Sequence, residues 1–167
     1  ENIILQDHVR KPFSKGIFLD FKAIARQSQK LVEEFRVKTP SIDTPIKSLS
    51  GGNIQKVILA REISNCPKVL IAAQPTRGVD IGATEYIHQR LLDQRQQGTA
   101  ILLISEDLDE ILALSDRIAV LYEGQIMGVV ARKDTNVQDL GLMMAGGRQE
   151  QLAAARAAAE AKACKAG

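Results

Sequence analysis

The sequence is poor in aromatic residues, cysteine and long apolar runs. Aromatic residues make up 4% of the 167 residues and tryptophan is absent, so aliphatic side chains must build the core. No apolar run approaches the roughly 20 residues that a membrane-spanning helix needs. We therefore expect any membrane role to act through another protein, and a chain of 18.2 kDa to form one modest domain or a piece of one.

The distribution of charges and of possible metal ligands argues against nucleic-acid-binding and zinc-binding proteins. The sequence has 22 Lys and Arg residues and 20 Asp and Glu residues, for a net charge of +2. Positive and negative residues are interspersed along the chain, so we expect no extended basic surface for nucleic acid. Cys66 and Cys164 lie far apart without CxxC spacing, which indicates neither a disulfide framework nor a zinc site and fits a reducing cytosol. His8 and His88 have no partners at ligand spacing and are interpreted as ordinary polar residues.

Periodicity in the first part of the chain predicts helices. Residues 1–19 are expected to form a loop or short helical piece around Pro12 and Gly16. Asp20 is expected to cap an amphipathic helix of about four turns, and residues 53–63 resume a helical pattern. The chain opens at Glu1 without an initiator methionine or a leader, so we expect it to be a fragment of a longer protein.

Further along, the pattern alternates between strands and helices. Residues 69–73 and 100–104 are continuous apolar runs of the kind expected for buried parallel strands. A helix over residues 83–97 between them implies a parallel sheet, and a short helix is predicted over 107–114. The last elements predicted are a hairpin of residues 117–122 and 125–130, which closes the sheet, and a short helix over residues 136–144. Residues 148–167 are an Ala-rich tail, which is expected to be frayed or disordered.

One loop carries the clearest chemical signal. Leu49–Lys56 (LSGGNIQK) places a serine and two glycines immediately before a predicted helix. Glycines allow close approach of the backbone to a ligand, and free N–H groups at a positive helix end attract anions. This pattern indicates a phosphate-binding loop, although a glycine turn that merely begins a helix would be the ordinary interpretation if it stood alone.

A second motif follows downstream in the same order as in a known family. Gln74–Asp80 (QPTRGVD) is similar to the DEPT-x-G-x-D segment of ABC ATPases, the Walker B end and D-loop, and LSGGN resembles their signature motif. The resemblance runs from about Glu1 to Gly147. It implies an α/β, P-loop NTPase-like ABC ATPase core with a partial parallel sheet (67–147) and part of the α-helical signature subdomain (1–66). The Arg77-Gly78 pair, Asn53 of the signature and the Ile81-Gly82-Ala83 continuation resemble the second, C-terminal cassette of tandem-cassette importers of simple sugars or nucleosides.

Several family positions are altered in this sequence. No G-x-x-x-x-G-K-[ST] motif occurs, so the usual cradle for the β- and γ-phosphates is absent from this fragment and is expected upstream of Glu1 in the full-length protein. The family's magnesium-side aspartate falls on Ala73, its general-base glutamate on Gln74 and its switch histidine on Glu106. Alanine offers no oxygen and an amide does not take up a proton at neutral pH, while a carboxylate repels a γ-phosphate. The resemblance therefore predicts a degenerate hydrolytic site.

The resemblance also implies cofactors and partners. Two cassettes of the family sandwich ATP, so this chain is expected to contact nucleotide that a partner cassette holds. Mg²⁺ is expected to bind mainly at the partner cassette. The residues expected to contact the nucleotide are Ser50, Gly51, Gly52, Asn53, Gln55 and Asp80. The partner cassette is expected in the same full-length polypeptide. The further partners that the resemblance implies are membrane permease subunits and, indirectly, an upstream solute-binding protein. The expected location is the cytoplasmic face of the membrane. Hydrolysis of ATP is expected of the full-length protein and not of this fragment.

Two alternatives differ in class. A non-transport ABC protein acting on ribosomes or nucleic acid would carry a long charged insertion or basic linker, and none occurs between Glu1 and Gly147. A purely structural cassette would have no need of the serine and two glycines at Ser50–Gly52.

Overall fold

The computed structural model describes residues 2–150, and two compact units divide the chain after Ile104. The Ala-rich tail, expected to be frayed or disordered, lies almost entirely outside the described residues. No helix in the described part of the chain is long and apolar enough to cross a membrane.

The first unit opens on a 3₁₀ turn, which fits the predicted short helical piece, and on a small hairpin, which the sequence pattern does not predict. A 3₁₀ turn covers Asn2–Ile4, and strands β1 (Ser14–Lys15) and β2 (Phe18–Leu19) pair antiparallel. Gly16 lies in the left-handed region with φ 69° between them, a conformation that glycine adopts readily. Two-residue strands are too short to show alternation, so the sequence predicts a loop or short helical piece where the structure also has a small hairpin.

Helix α1 (Phe21–Glu34) confirms the predicted amphipathic helix. The Asp20 side chain accepts a hydrogen bond from the Ala23 N–H at 3.0 Å, as an N-cap residue should. A hydrogen bond from Lys15, 2.8 Å from the Asp20 carboxylate, lowers the pKa of that carboxyl below its ordinary value. Ile24, Leu31 and Phe35 are buried, and Phe35 is only 2% exposed.

Helix α2 (Gly51–Ile63) begins two residues earlier than the predicted start at Asn53. The two glycines therefore form its first turn instead of a turn that precedes it. Helix α3 (Ile81–Gln96) also begins before its predicted start, because Asp80 accepts a hydrogen bond from the Ala83 N–H and so caps it. Gly98, with φ 91°, ends the helix region as predicted.

Strands β3 (Val69–Ala73) and β4 (Ala100–Ile104) are parallel, as predicted, with Val69 opposite Ala100 and Ala73 opposite Ile104. They form a two-stranded sheet. The expectation of fully buried strands is wrong for this chain, because Val69 and Ile71 are 66% and 65% exposed. Only the other face packs, with Leu70 buried.

The second unit holds the remaining elements: helix α4 (Leu108–Leu114), strands β5 (Arg117–Tyr122) and β6 (Gln125–Ala131), and helix α5 (Val137–Met144). Glu123 and Gly124 have φ 46° and 76°, which fits the predicted two-residue hairpin turn. The core of the second unit is a cluster of buried residues from β5, β6 and α5: Ile118, Val120, Met127, Val130, Leu140 and Met143. The hairpin was expected to close the parallel sheet, but it forms a separate two-stranded sheet.

Candidate phosphate-binding loop

The start of α2 presents unbonded backbone donors. Ser50 occupies the N-cap position in an extended conformation, and its side chain makes no capping hydrogen bond to the helix. The N–H groups of the first turn cannot find partners within the helix. Ser50 and Gly51 are exposed, and the positive end of the 13-residue helix adds to the attraction for an anion.

Asn53 connects this loop to the turn that follows α1. Its side-chain oxygen accepts from the Lys38 N–H at 2.7 Å, and its side-chain nitrogen donates to Ser50 Oγ at 2.9 Å. Asn53 was expected to contact nucleotide, and the structure shows that both ends of its amide bond to the protein. The contribution of Lys38 comes from its backbone and leaves no signal in the sequence.

The two glycines of the loop also pack tightly against the segment after β3. A Cβ added to Gly52 would lie 2.9 Å from the Ala83 Cβ, and one added to Gly51 would lie 3.1 Å from the Gly78 carbonyl oxygen. Packing within the chain therefore favours glycine at both positions, in addition to the approach of a ligand that the sequence predicts. Sequence inspection predicts only the second reason, because the contact joins segments far apart along the chain.

The end of β3 carries two positions that the sequence resemblance predicts to be altered. Ala73 is its exposed last residue, and the following Gln74 is half-buried with φ 50°. The Gln74 N–H donates to the Ile104 carbonyl at 2.8 Å, so this end of the sheet is fixed by backbone bonding. Asp80 is exposed and caps α3; its expected contact with nucleotide stays a prediction.

Three of the predicted positions of the first unit can be located relative to one another. A cavity of about 90 Å³ is lined by Gln55 of α2 together with Ala73 and Pro75 from the end of β3. Glu106 belongs to the other unit, where it is exposed in the bend before α4.

The two ends of the site differ in what they can do chemically. The start of α2 offers N–H and O–H donors, which suit a phosphate. Ala73 and Gln74 offer no carboxylate, whereas Mg²⁺ favours carboxylate oxygens and a general base must accept a proton. Within residues 2–150, no three His, Cys, Asp or Glu side chains come close enough to hold a metal ion.

Comparisons with known proteins identify close relatives. The chain is 52% identical over 147 residues to a nucleoside import ATP-binding protein of Lactococcus lactis subsp. cremoris, with 88% of this chain and 29% of the relative covered. It is 48% identical over 151 residues to a guanosine import ATP-binding protein of Bacillus subtilis (90% and 30% covered), and 42% identical over 138 residues to a ribose import ATP-binding protein of Streptococcus agalactiae (83% and 28%). The chain thus spans under a third of the length of these relatives.

Solved structures confirm the fold. An ATP-binding cassette in a post-hydrolysis dimer bound to ADP and Pi matches with a TM-score of 0.59 at 22% identity, over 69% of this chain and 50% of that one. The ATP-binding subunit of an ABC transporter matches with a TM-score of 0.62 at 21% identity, over 76% and 56%. No family model matches the chain. The α/β ABC cassette fold expected from the sequence is confirmed, as is the resemblance to sugar and nucleoside import ATP-binding proteins.

Proposed function

We propose that this chain, a relative of the sugar and nucleoside import ATP-binding proteins with the fold of an ABC cassette, supplies a signature loop to ATP held by a partner cassette. Ser50–Asn53 would close over the γ-phosphate of that nucleotide. The whole protein would hydrolyse ATP, with Mg²⁺, to drive import of a nucleoside or simple sugar. This chain would be part of its second cassette, with residues 1–66 in the helical subdomain and 67–147 in the ATPase core.

The observation that carries the proposal is the uncapped start of α2. An N-cap serine ordinarily accepts a hydrogen bond from an N–H in the first turn, but the Ser50 side chain does not. Ser50 Oγ instead accepts from the Asn53 side chain at 2.9 Å, so the hydroxyl proton and the first-turn N–H groups are left for a ligand, and Gly51 is exposed. An anion is the ligand that these donors and the helix dipole favour.

The altered end of β3 supports a division of labour between two sites. With Ala73 and Gln74 in place of carboxylates, the nucleotide site formed by this cassette would bind without hydrolysing, or stay silent. Turnover would come from the composite site to which the α2 loop contributes. Glu106 would add to the deficit, because a carboxylate at the switch position repels the γ-phosphate.

The partners follow from the names of the relatives, which are import ATP-binding proteins. We propose that the whole protein associates with permease subunits at the cytoplasmic face of the membrane and acts with a solute-binding protein. Relatives named for nucleoside import share 52% and 48% identity and relatives named for sugar import share 47% and 42%, so we propose a nucleoside or a simple sugar as the solute.

The test is ATP hydrolysis by the full-length protein that carries Ser50→Arg. A bulky side chain in the loop should block the phosphate and lower turnover about 100-fold, in line with the loss of one preorganised anion contact. Ser64→Arg is the matched control, because Ser64 is exposed at the opposite end of α2, where a positive charge is favourable. Turnover of Ser50→Arg within twofold of the control would reject the proposal and favour a purely structural cassette.

A further inference from the structure

A chain of hydrogen bonds joins the backbone at Lys38 to the hydroxyl of Ser50 through the side chain of Asn53. The first bond is 2.7 Å from the Lys38 nitrogen to Asn53 Oδ1, and the second is 2.9 Å from Asn53 Nδ2 to Ser50 Oγ. The direction of each bond can be deduced from the chemistry of the groups alone.

A backbone N–H can only donate. The Asn53 atom that faces Lys38 must therefore be the side-chain oxygen, and the nitrogen must face Ser50. Because that nitrogen can only donate, Ser50 Oγ is the acceptor of the second bond. The single proton of the Ser50 hydroxyl must then point elsewhere, and the hydroxyl oxygen makes no capping bond to a backbone N–H of the helix.

We propose that Asn53 is a positioning residue, which keeps the Ser50 hydroxyl oriented as a donor toward an anion at the start of α2. This inference rests on the proposed function, since it concerns the same phosphate. Bonds arranged head to tail polarise one another, so the bond from Lys38 strengthens the donor that Ser50 presents. Without Asn53 the hydroxyl would rotate freely and would also be able to present its lone pairs to the phosphate.

The start of this chain of bonds lies in a well-anchored turn. The Val37 N–H donates to the Val32 carbonyl at 2.9 Å. Two basic side chains bind backbone carbonyls of the residues just before Val37. Arg90 donates to the Glu34 carbonyl at 2.9 Å, and Lys56 donates to the Arg36 carbonyl at 3.3 Å.

The Arg90 guanidinium is itself fixed between two aromatic rings. It lies 4.8 Å from the ring centre of Phe35 and 5.4 Å from that of Tyr86, distances at which a cation is attracted to the ring face. The Lys38 N–H is thus presented from a turn that α2 and α3 both hold, so the orientation of Ser50 is set by the packing of the helices.

A double-mutant cycle in the full-length protein separates positioning from a merely structural role. The variants are Ser50→Ala, Asn53→Ala and the double variant, with ATP turnover and melting temperature measured for each. Ser50→Ala should lower turnover about tenfold or more, the usual effect of losing a hydrogen bond to a charged group. Asn53→Ala should lower it similarly, but should change turnover less than about twofold when Ser50 is already alanine.

Asn53→Asp is the second variant, chosen to keep the fold. Its carboxylate still accepts from the Lys38 N–H but cannot donate to Ser50, so the Ser50 proton turns inward to the carboxylate. We expect an unchanged melting temperature with turnover lowered about tenfold or more. The added charge is controlled by the same substitution in the Ser50→Ala background, where a smaller loss is expected.

The outcomes separate this inference from the proposed function. The positioning role would be overturned if Asn53→Ala and Asn53→Asp each lowered turnover as much in the Ser50→Ala background as in the wild-type background. A large effect of Ser50→Ala would in that case still support the phosphate-binding loop. No effect of Ser50→Ala would overturn the proposed function and the positioning role together. Loss that depends on Ser50, at unchanged stability, supports both.

Discussion

The start of α2 and the end of β3 lie in the same unit, and they differ in which atoms do the chemistry. At α2 the donors are N–H groups and one hydroxyl, which the helix geometry itself positions. At β3 the resemblance to the family leads us to expect side-chain carboxylates, and this chain has Ala73 and Gln74. The two regions should therefore respond differently to substitution, because a substitution removes a carboxylate at once and leaves backbone donors in place.

Both regions are nevertheless tied to one loop. The residues 74–80 begin at the end of β3, and Gly78 from this loop lies against Gly51 of α2. The loop then leads into α3, where Ala83 lies against Gly52. The segment after β3 therefore has a packing role at the start of α2 that does not depend on the side chains of Ala73 and Gln74.

The largest effect on stability is expected where α2 meets α3. Gly52→Ala would place a Cβ 2.9 Å from the Ala83 Cβ, and neither atom can move without its backbone. Overpacking of this kind costs about 1–3 kcal/mol, although alanine is otherwise favoured in helices. Urea unfolding of the full-length protein should show this loss.

Gly82→Ala is the matched control for that substitution. Gly82 is in the first turn of α3, and a Cβ there would meet only an Asp80 carboxylate oxygen at 3.5 Å, an ordinary contact. We expect no loss, and a gain of up to about 1 kcal/mol from helix propensity. Equal unfolding free energies for the two variants would show that the contact between the α2 loop and α3 is not tight.

Much of the fold could be predicted from local patterns. Helix α1, strands β3 and β4, and the hairpin of β5 and β6 follow from periodicity, caps and turn glycines, because those signals lie within the elements themselves. The exposure of Val69 and Ile71 could not be predicted, since burial depends on what covers a strand. Continuous apolar residues indicate a strand that needs cover on both faces, and the second cover is not among the described residues.

An intermediate effect is expected at the cap of α3. Asp80→Ala removes the acceptor that lies 2.8 Å from the Ala83 nitrogen and should lower the free energy of unfolding by about 1 kcal/mol. Asp80→Asn should retain stability, because asparagine caps equally well. ATP turnover of Asp80→Asn then reports any role of the carboxylate in nucleotide binding, since capping is kept. Unchanged stability of Asp80→Ala would contradict the capping role.

The candidate site was predictable in its residue types and less so in its internal bonding. Ser50 and the glycines are recognisable because a helix start with small residues is a local pattern. The bond from Lys38 to Asn53 is not recognisable, because any residue supplies a backbone N–H. The same holds for the Gly78 carbonyl against Gly51, which depends on how two distant segments pack.

The smallest effect is expected at the end of β3, and it decides whether the contrast with α2 holds. Loss of a general base costs about 10² to 10⁴ in rate, but Gln74 is no base, so Gln74→Ala should leave ATP hydrolysis of the full-length protein within about twofold, under roughly 0.4 kcal/mol of barrier. Gln74→Glu should not create a second active site, because Ala73 still offers no oxygen to magnesium. Neutralising the corresponding glutamate of the partner cassette, as the positive control, should stop phosphate release. A tenfold loss with Gln74→Ala would show that this end of β3 takes part in hydrolysis.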